Sequence, residues 1–95
     1  MYTVVRQYSD ENASQLIDQM EKRLGDVESI IGSVPGFVSY TLFRTAEGGV
    51  SVTVCDDKAG TDESSRRAAE WVKENMTDKM SRPAVSEGET ILQLP

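Results

Sequence analysis

Histidine is the side chain that most often binds metals, carries protons and activates nucleophiles near neutral pH. This 95-residue sequence contains none. A histidine-ligated haem, a histidine metal site and a histidine base are therefore excluded, and one cysteine without histidine cannot complete a tetrahedral zinc site. No cofactor is expected on these grounds. The groups left with chemistry to offer are Cys55, Trp71, Tyr8, Tyr40, Arg44, the pair Asp56-Asp57 and a set of hydroxyls at Ser39, Thr41 and Thr53. Each also has a purely structural reading. Without a neighbouring base Cys55 lacks the usual activation of a nucleophile, and a small buried hydrophobe is the better description. Trp71, among Ala68 and Val72, can line a pocket or seal a helix against its neighbours. Tyr8 and Tyr40 can donate a proton or bind a phenol, against ordinary amphipathic packing. Arg44 can clamp an anion or pair with Glu47 or Asp56, and Asp56-Asp57 fit a helix cap better than a cation site. Gly48-Gly49 is a turn with no phosphate-loop context.

The elements that must position these groups are legible in the pattern. Residues 2–8 are β-branched and aromatic, a short strand. Ser9 and Asp10 are capping residues. After them Ala13, Leu16, Ile17, Met20, Leu24, Val27, Ile31 and Val34 recur at steps of three and four, which predicts one long amphipathic helix with Gly25 as a soft spot. Pro35-Gly36 ends it. Two alternating runs, 37–43 and 50–55, form a hairpin around a Glu-Gly-Gly turn. Residues 56–60 read as a loop and Thr61 as the cap of a second helix, with Ser65, Ala68, Ala69, Val72 and Met76 on one face and Glu63 and Arg67 pairing on its exposed side. Residues 77–88, with Pro83, read as an irregular arm, and residues 90–94 as the last strand. No repeat, low-complexity tract or linker interrupts residues 1–95, which are expected to be a single domain.

Composition narrows the partners. Ten Lys and Arg against sixteen Asp and Glu give a net charge of −6, the wrong balance for nucleic acid and for an anionic membrane surface, both of which recruit clustered cations. No apolar run approaches the roughly 20 residues of a membrane span, and the first residues lack the pattern of a signal peptide. A lone cysteine fits a reducing compartment. A cytoplasmic protein is expected.

The strand and helix order is β-α-β-β-α-β. That order predicts an α+β fold of ferredoxin-like type, an antiparallel four-stranded sheet with two helices on one face. The other face needs a cover. If the hairpin pairs residue 42 with 52, Val38, Tyr40, Leu42, Val50, Val52 and Val54 turn toward the helices. Phe37, Ser39, Thr41, Phe43, Ser51, Thr53 and Cys55 then make the second face; a slip of one residue would mix the two sets. A small, uncharged, partly aromatic surface of that kind suits contact with another sheet, hence a homodimer.

The βαββαβ order, the segment "VPGFVSYTLFR" that leads from helix into strand, and the helix around Trp71 resemble the dimeric α+β barrel superfamily, and within it the small antibiotic-biosynthesis-monooxygenase-like proteins. The resemblance spans nearly the whole chain. It implies two ferredoxin-like protomers with sheets face to face and helices outside, a dimeric α+β barrel. Members of the superfamily include cofactor-free oxygenases of polycyclic phenols, haem-degrading enzymes and lactone isomerases, so the fold alone selects no reaction. The asparagine and tryptophan roles of its oxygenases cannot be placed on Asn12, Asn75 or Trp71, which stand in no matching motif. Three readings remain open: a binder or cofactor-free oxygenase of a small aromatic molecule, without metal or haem; a non-catalytic dimeric module; and a regulatory or stress-response protein. For the first, the candidate pocket residues are Phe37, Ser39, Thr41, Phe43, Thr53, Cys55 and Trp71.

Overall fold

The structure, a computed structural model, describes residues 1–75 and 82–95. Four strands, β1 (Tyr2–Tyr8), β2 (Phe37–Arg44), β3 (Gly49–Cys55) and β4 (Ala84–Glu89), form one sheet in the order β2-β3-β1-β4 with every neighbouring pair antiparallel. Three helices, α1 (Ala13–Lys22), α2 (Leu24–Gly32) and α3 (Lys58–Asn75), complete the ferredoxin-like α+β fold. The core lies between helices and sheet, where Leu16, Ile17, Met20, Val27, Ile31, Trp71 and Val72 meet Tyr8, with Phe37, Tyr40 and Leu42 packed at its margin.

The long first helix is broken. Arg23 leaves helical geometry at φ −131° and ψ 40°, and its N–H donates to Met20 O. Arg23 also pairs with Asp26 at 3.1 Å in the first turn of α2, where a carboxylate favours the positive helix end. Gly25, a weak helix former, sits beside the break. The bend keeps Val27 and Ile31 on the sheet where a straight helix would have carried them off, and leaves Leu24 52% exposed outside the stripe it was expected to join. The start of α3 also differs from expectation. Asp57 Oδ1 accepts the Gly60 N–H at 3.0 Å, so Asp57 caps the helix and residues 58–60 are helical. Thr61 is buried within the first turn, its hydroxyl donating to Lys58 O. A side chain on Gly60 would stand 2.7 Å from Cys55 Cβ and 3.0 Å from Pro35 O, and glycine is what lets α3 press onto the end of β3.

The last strand is β4, not residues 90–94. Its sequence, AVSEGE, lacks a clean alternation because it is an edge strand with mostly exposed side chains. The apolar run that resembled a strand is instead an exposed tail, with Ile91 98% and Leu94 71% accessible. Of the arm expected over 77–88, residues 77–81 lie outside the described residues and residues 84–88 belong to β4.

The hairpin register is the correction with the largest consequence. Thr45 and Gly48 exchange backbone hydrogen bonds at 3.0 and 3.3 Å, closing a turn at Ala46-Glu47 instead of the expected Glu-Gly-Gly. Leu42 therefore faces Ser51 and not Val52, Tyr40 faces Thr53, and Thr41 faces Val52. An irregularity between Phe37 and Ser39 brings Phe37 opposite Cys55. Side chains of paired residues share a face. Tyr40, Leu42, Ser51, Thr53 and Cys55 thus turn to the helices, as do Val4, Arg6 and Tyr8 across the β1–β3 ladder. Val50, Val52 and Val54 turn away, the reverse of the expected placement. The far face of the sheet carries Val5, Thr41, Phe43 and Val52 among residues that include no charge.

Candidate functional site

The register places hydroxyls, not valines, under the helices, and they surround a cation. Arg6 is 2% exposed. Its Nη1 donates to Ser51 Oγ at 3.3 Å and Thr53 Oγ1 at 3.2 Å. Its Nη2 donates to Ser64 Oγ at 2.6 Å and Ser65 Oγ at 3.1 Å, and Nε reaches Ser65 Oγ at 3.3 Å. All five guanidinium hydrogens are accounted for. Every acceptor is a neutral hydroxyl. Ser51 and Thr53 come from β3, Ser64 and Ser65 from the second turn of α3, where Ser64 in turn donates to Thr61 O at 2.7 Å. Burial pushes the guanidinium pKa down from its usual value, and the titratable groups that act on it are Tyr8, Tyr40 and Cys55. No carboxylate is among them. A buried charge without a counter-ion is costly, so Arg6 is the least expected feature of this interior.

A cleft opens beside it. Arg6, Tyr8, Tyr40, Ser51, Val27 and Trp71 are among its walls, and the free space within it is about 20 Å³, room for about one water; a second hollow of about 340 Å³ borders Arg6 and Tyr8 together with Ser65, Arg82 and Val85. Burial raises the pKa of Tyr8, with Arg6 opposing, and raises that of Tyr40, with Arg6 and a hydrogen bond from Ser51 opposing. Both phenols are thus neutral donors at pH 7. Tyr8 is 3% exposed and its hydroxyl makes no hydrogen bond among the described residues. Because no buried side-chain polar atom among the described residues is sealed off without a partner, that hydroxyl opens onto free space. On its outer side the cleft adjoins a groove of about 1060 Å³ between α2 and β2, walled by Leu24, Phe37 and Leu42 and sharing Val27, Ile31 and Tyr40 with the cleft. The roof is fastened by Arg67, which donates to Ile30 O and Ser33 Oγ at the end of α2 (both 2.9 Å) while pairing with Glu63. At the other end Asn75 accepts from Arg23 and donates to Trp71 O.

The seven residues proposed from sequence divide between the two faces. Trp71 lines the cleft, Phe37 the groove, and Thr53 holds Arg6. Cys55 is packed against Gly60, with its thiol pKa pushed up by burial and by Asp56 and Asp57, so it is an inert hydrophobe. Ser39, Thr41 and Phe43 lie on the far face, away from the cleft. Arg44 pairs with Asp18 at 3.0 Å and Glu21 at 3.6 Å, not with Glu47 or Asp56. Arg6 and Ser64 were not singled out. A cation at position 6 between inward Val4 and Tyr8 was the available signal, together with Ser64-Ser65 one turn before Ala68.

No family model matches the sequence, and no curated protein matches it either. Solved structures do. SnoaB, a cofactor-independent oxygenase from Streptomyces nogalater, superposes with a TM-score of 0.67 at 18% identity, over 99% of this chain and 96% of its own. A dimeric ferredoxin-like protein from an uncultured marine organism gives 0.64 at 12%, over 99% and 95%. The chain has the ferredoxin-like α+β fold of these proteins. MhuD, a haem degrader of Mycobacterium tuberculosis with two haems in its active site, shares this fold with a TM-score of 0.67 at 15% identity, over the whole of both chains. The imidazole and thiolate donors that would hold a haem iron are missing: the sequence has no histidine, and Cys55 is buried as a thiol against Gly60. The polar side chains that line the cleft are phenols, an indole, a hydroxyl and one cation.

Proposed function

We propose that this chain binds a small, partly aromatic molecule between its sheet and helices, as a single-domain subunit of a cytoplasmic homodimer. The Tyr8 hydroxyl carries the reading: a phenol 3% exposed and without a hydrogen-bond partner among the described residues is directed to something the protein does not itself supply. The groove supplies an apolar wall at Phe37, Leu42 and Ile31, and the cleft a few donors at its end, the composition ligand sites generally have. Likeness to a cofactor-independent oxygenase supports oxygenation of that ligand without metal or haem. The uncharged far face supports the homodimer, since exposed sheet surface of this kind associates, and the likeness to a dimeric ferredoxin-like protein agrees. With a net charge of −6, neither nucleic acid nor an anionic membrane is a suitable partner. Among the described residues no helix is long and apolar enough to cross a membrane.

A thermal-shift screen of phenols and quinones against nucleotides and amines tests the ligand class, and dioxygen consumption by any phenol that binds tests oxygenation. Stabilisation by nucleotides alone refutes the reading. A second reading, a non-catalytic dimeric module, is favoured by the same uncharged face and gains if no compound stabilises the protein.

A further inference from the structure

Every polar side chain that lines the cleft is able to donate a hydrogen bond, and none is an anion. Arg6, Tyr8, Tyr40, Ser51 and Trp71 supply its polar atoms; no carboxylate, amide or imidazole joins them. The Ser51 and Thr53 oxygens accept from Arg6, which turns the hydrogen of each hydroxyl away from the cation. For Ser51, a wall of the cleft, that leaves Tyr40 and the free space as its outlets. The enclosed charge is +1. Around Arg6 the groups able to ionise are Tyr8, Tyr40 and Cys55, and each stays neutral at pH 7. Hydroxyl acceptors satisfy the geometry of the guanidinium, but they do not cancel its charge. The cleft itself admits about one water, and a second hollow of about 340 Å³ that also borders Arg6 and Tyr8 has Arg82 and no carboxylate among its walls.

We propose that the cleft selects an aromatic ligand in its anionic form, with a single oxyanion (a phenolate, enolate or carboxylate oxygen) in the space beside Arg6 and Tyr8 and the ring in the groove between α2 and β2. The inference rests on the cleft being the ligand site and adds the ligand's charge and orientation. An oxygen atom is about the size of the water it replaces. The Tyr8 hydroxyl is the donor without a partner, and Tyr40, which accepts from Ser51 and keeps its own hydrogen, is the second donor within the same walls. Arg6 acts on the anion through its field, in a site dry enough for that field to matter, because its five hydrogens are already engaged. The body of the ligand passes Tyr40, which walls both the cleft and the groove, and lies against Ile31, Phe37 and Leu42. Cations are rejected on the same grounds.

The test compares 2-naphthoate, 2-naphthol and 2-naphthylmethylamine, ligands of similar shape that are anionic, neutral and cationic at pH 7, by calorimetric titration of the full chain. Naphthoate should bind at least tenfold more tightly than the other two. Naphthol should tighten as pH rises toward its own ionisation, because the site takes the anion. Naphthol bound as tightly as naphthoate, with an affinity flat in pH, overturns the anion inference and leaves the ligand-binding reading standing. Failure of all three to bind, at concentrations where the folded dimer persists, overturns both. Tyr8→Phe, which keeps the packing, should lose about tenfold in naphthoate affinity, the size of one hydrogen bond to a charge. An unchanged affinity in that variant places the oxyanion elsewhere and overturns the assignment.

Discussion

Arg6→Met removes the buried charge while keeping an unbranched side chain, and the structure fixes what each neighbour then loses. Ser64 retains its bond to Thr61 O. Ser65 is only half-buried and regains water. Ser51 remains beside Tyr40, to which it already hydrogen-bonds. Thr53, fully buried, loses the only side-chain partner it has among the described residues, at about 1–3 kcal/mol for one stranded hydroxyl. Against this stands the desolvation of the guanidinium, several kcal/mol for a buried ion. Its lowered pKa shows that the site disfavours the cation relative to water. The sum favours the variant, by about 1–3 kcal/mol. Urea unfolding at a fixed subunit concentration measures it, since dimer stability depends on concentration. A midpoint raised at constant slope, with naphthoate binding lost, is the expected pair of results. A variant destabilised by about 2 kcal/mol or more would refute the reasoning, because the hydroxyl cage would then be holding the fold and would need no ligand to explain it.

Other outcomes follow from single features. Thr41→Glu places a charge on the uncharged far face, and sedimentation at micromolar concentration should show a dimer for the parent and a folded monomer for the variant; a normal dimer of the variant would remove that face from the interface. Gly48→Ala would set a carbon 2.4 Å from Tyr8 O and from Ala13 Cβ, so the melt should show a loss of about 1–3 kcal/mol, and an unchanged melt would put the turn elsewhere. Burial raises the folded pKa of Tyr8 and Tyr40 above 10.0, so their contribution is complete below pH 10 and is lost as pH rises through the folded values; tyrosinate absorbance from these two should appear only with unfolding. Arg66 and Arg67 hold the exposed Glu63 down to about 2 from 4.5, so the support it gives α3 is present above about pH 4.5 and fades toward pH 2. An acid titration of helix content should follow that course and flatten in Glu63→Gln.

The sequence carried the fold through the periods of its apolar residues, and it misled wherever those periods were broken by local geometry. The β-branched and aromatic run of residues 2–8 and the apolar stripe of residues 13–20 were plain, the second because α1 has one wet and one dry face. The break at Arg23 was invisible to a pattern that runs across it, although Gly25 marked the weak place. The edge strand β4 had no apolar face to announce it, while the exposed tail at 90–94 carried an apolar run and drew the assignment. Register was the decisive matter. Placing the turn at Ala46-Glu47 instead of the glycines shifts β3 by one residue, which exchanges its valines for Ser51, Thr53 and Cys55. The expected site on the far face was built on the other register, so only Phe37, Thr53 and Trp71 of its members reach the groove, the Arg6 cage or the cleft. Arg6 itself lay in view at an inward position, but a cation there is uncommon enough that alternation alone did not bring it forward.

A crystal structure of the full chain with 2-naphthoate bound would test the central claim most directly. The carboxylate should lie within hydrogen-bonding distance of the Tyr8 hydroxyl and beside the Arg6 guanidinium, with the naphthalene ring between Ile31, Phe37 and Leu42. Density for the ring on the far face, against Thr41 and Phe43, or a ligand whose carboxylate points to solvent with the Arg6 cleft closed, would contradict it.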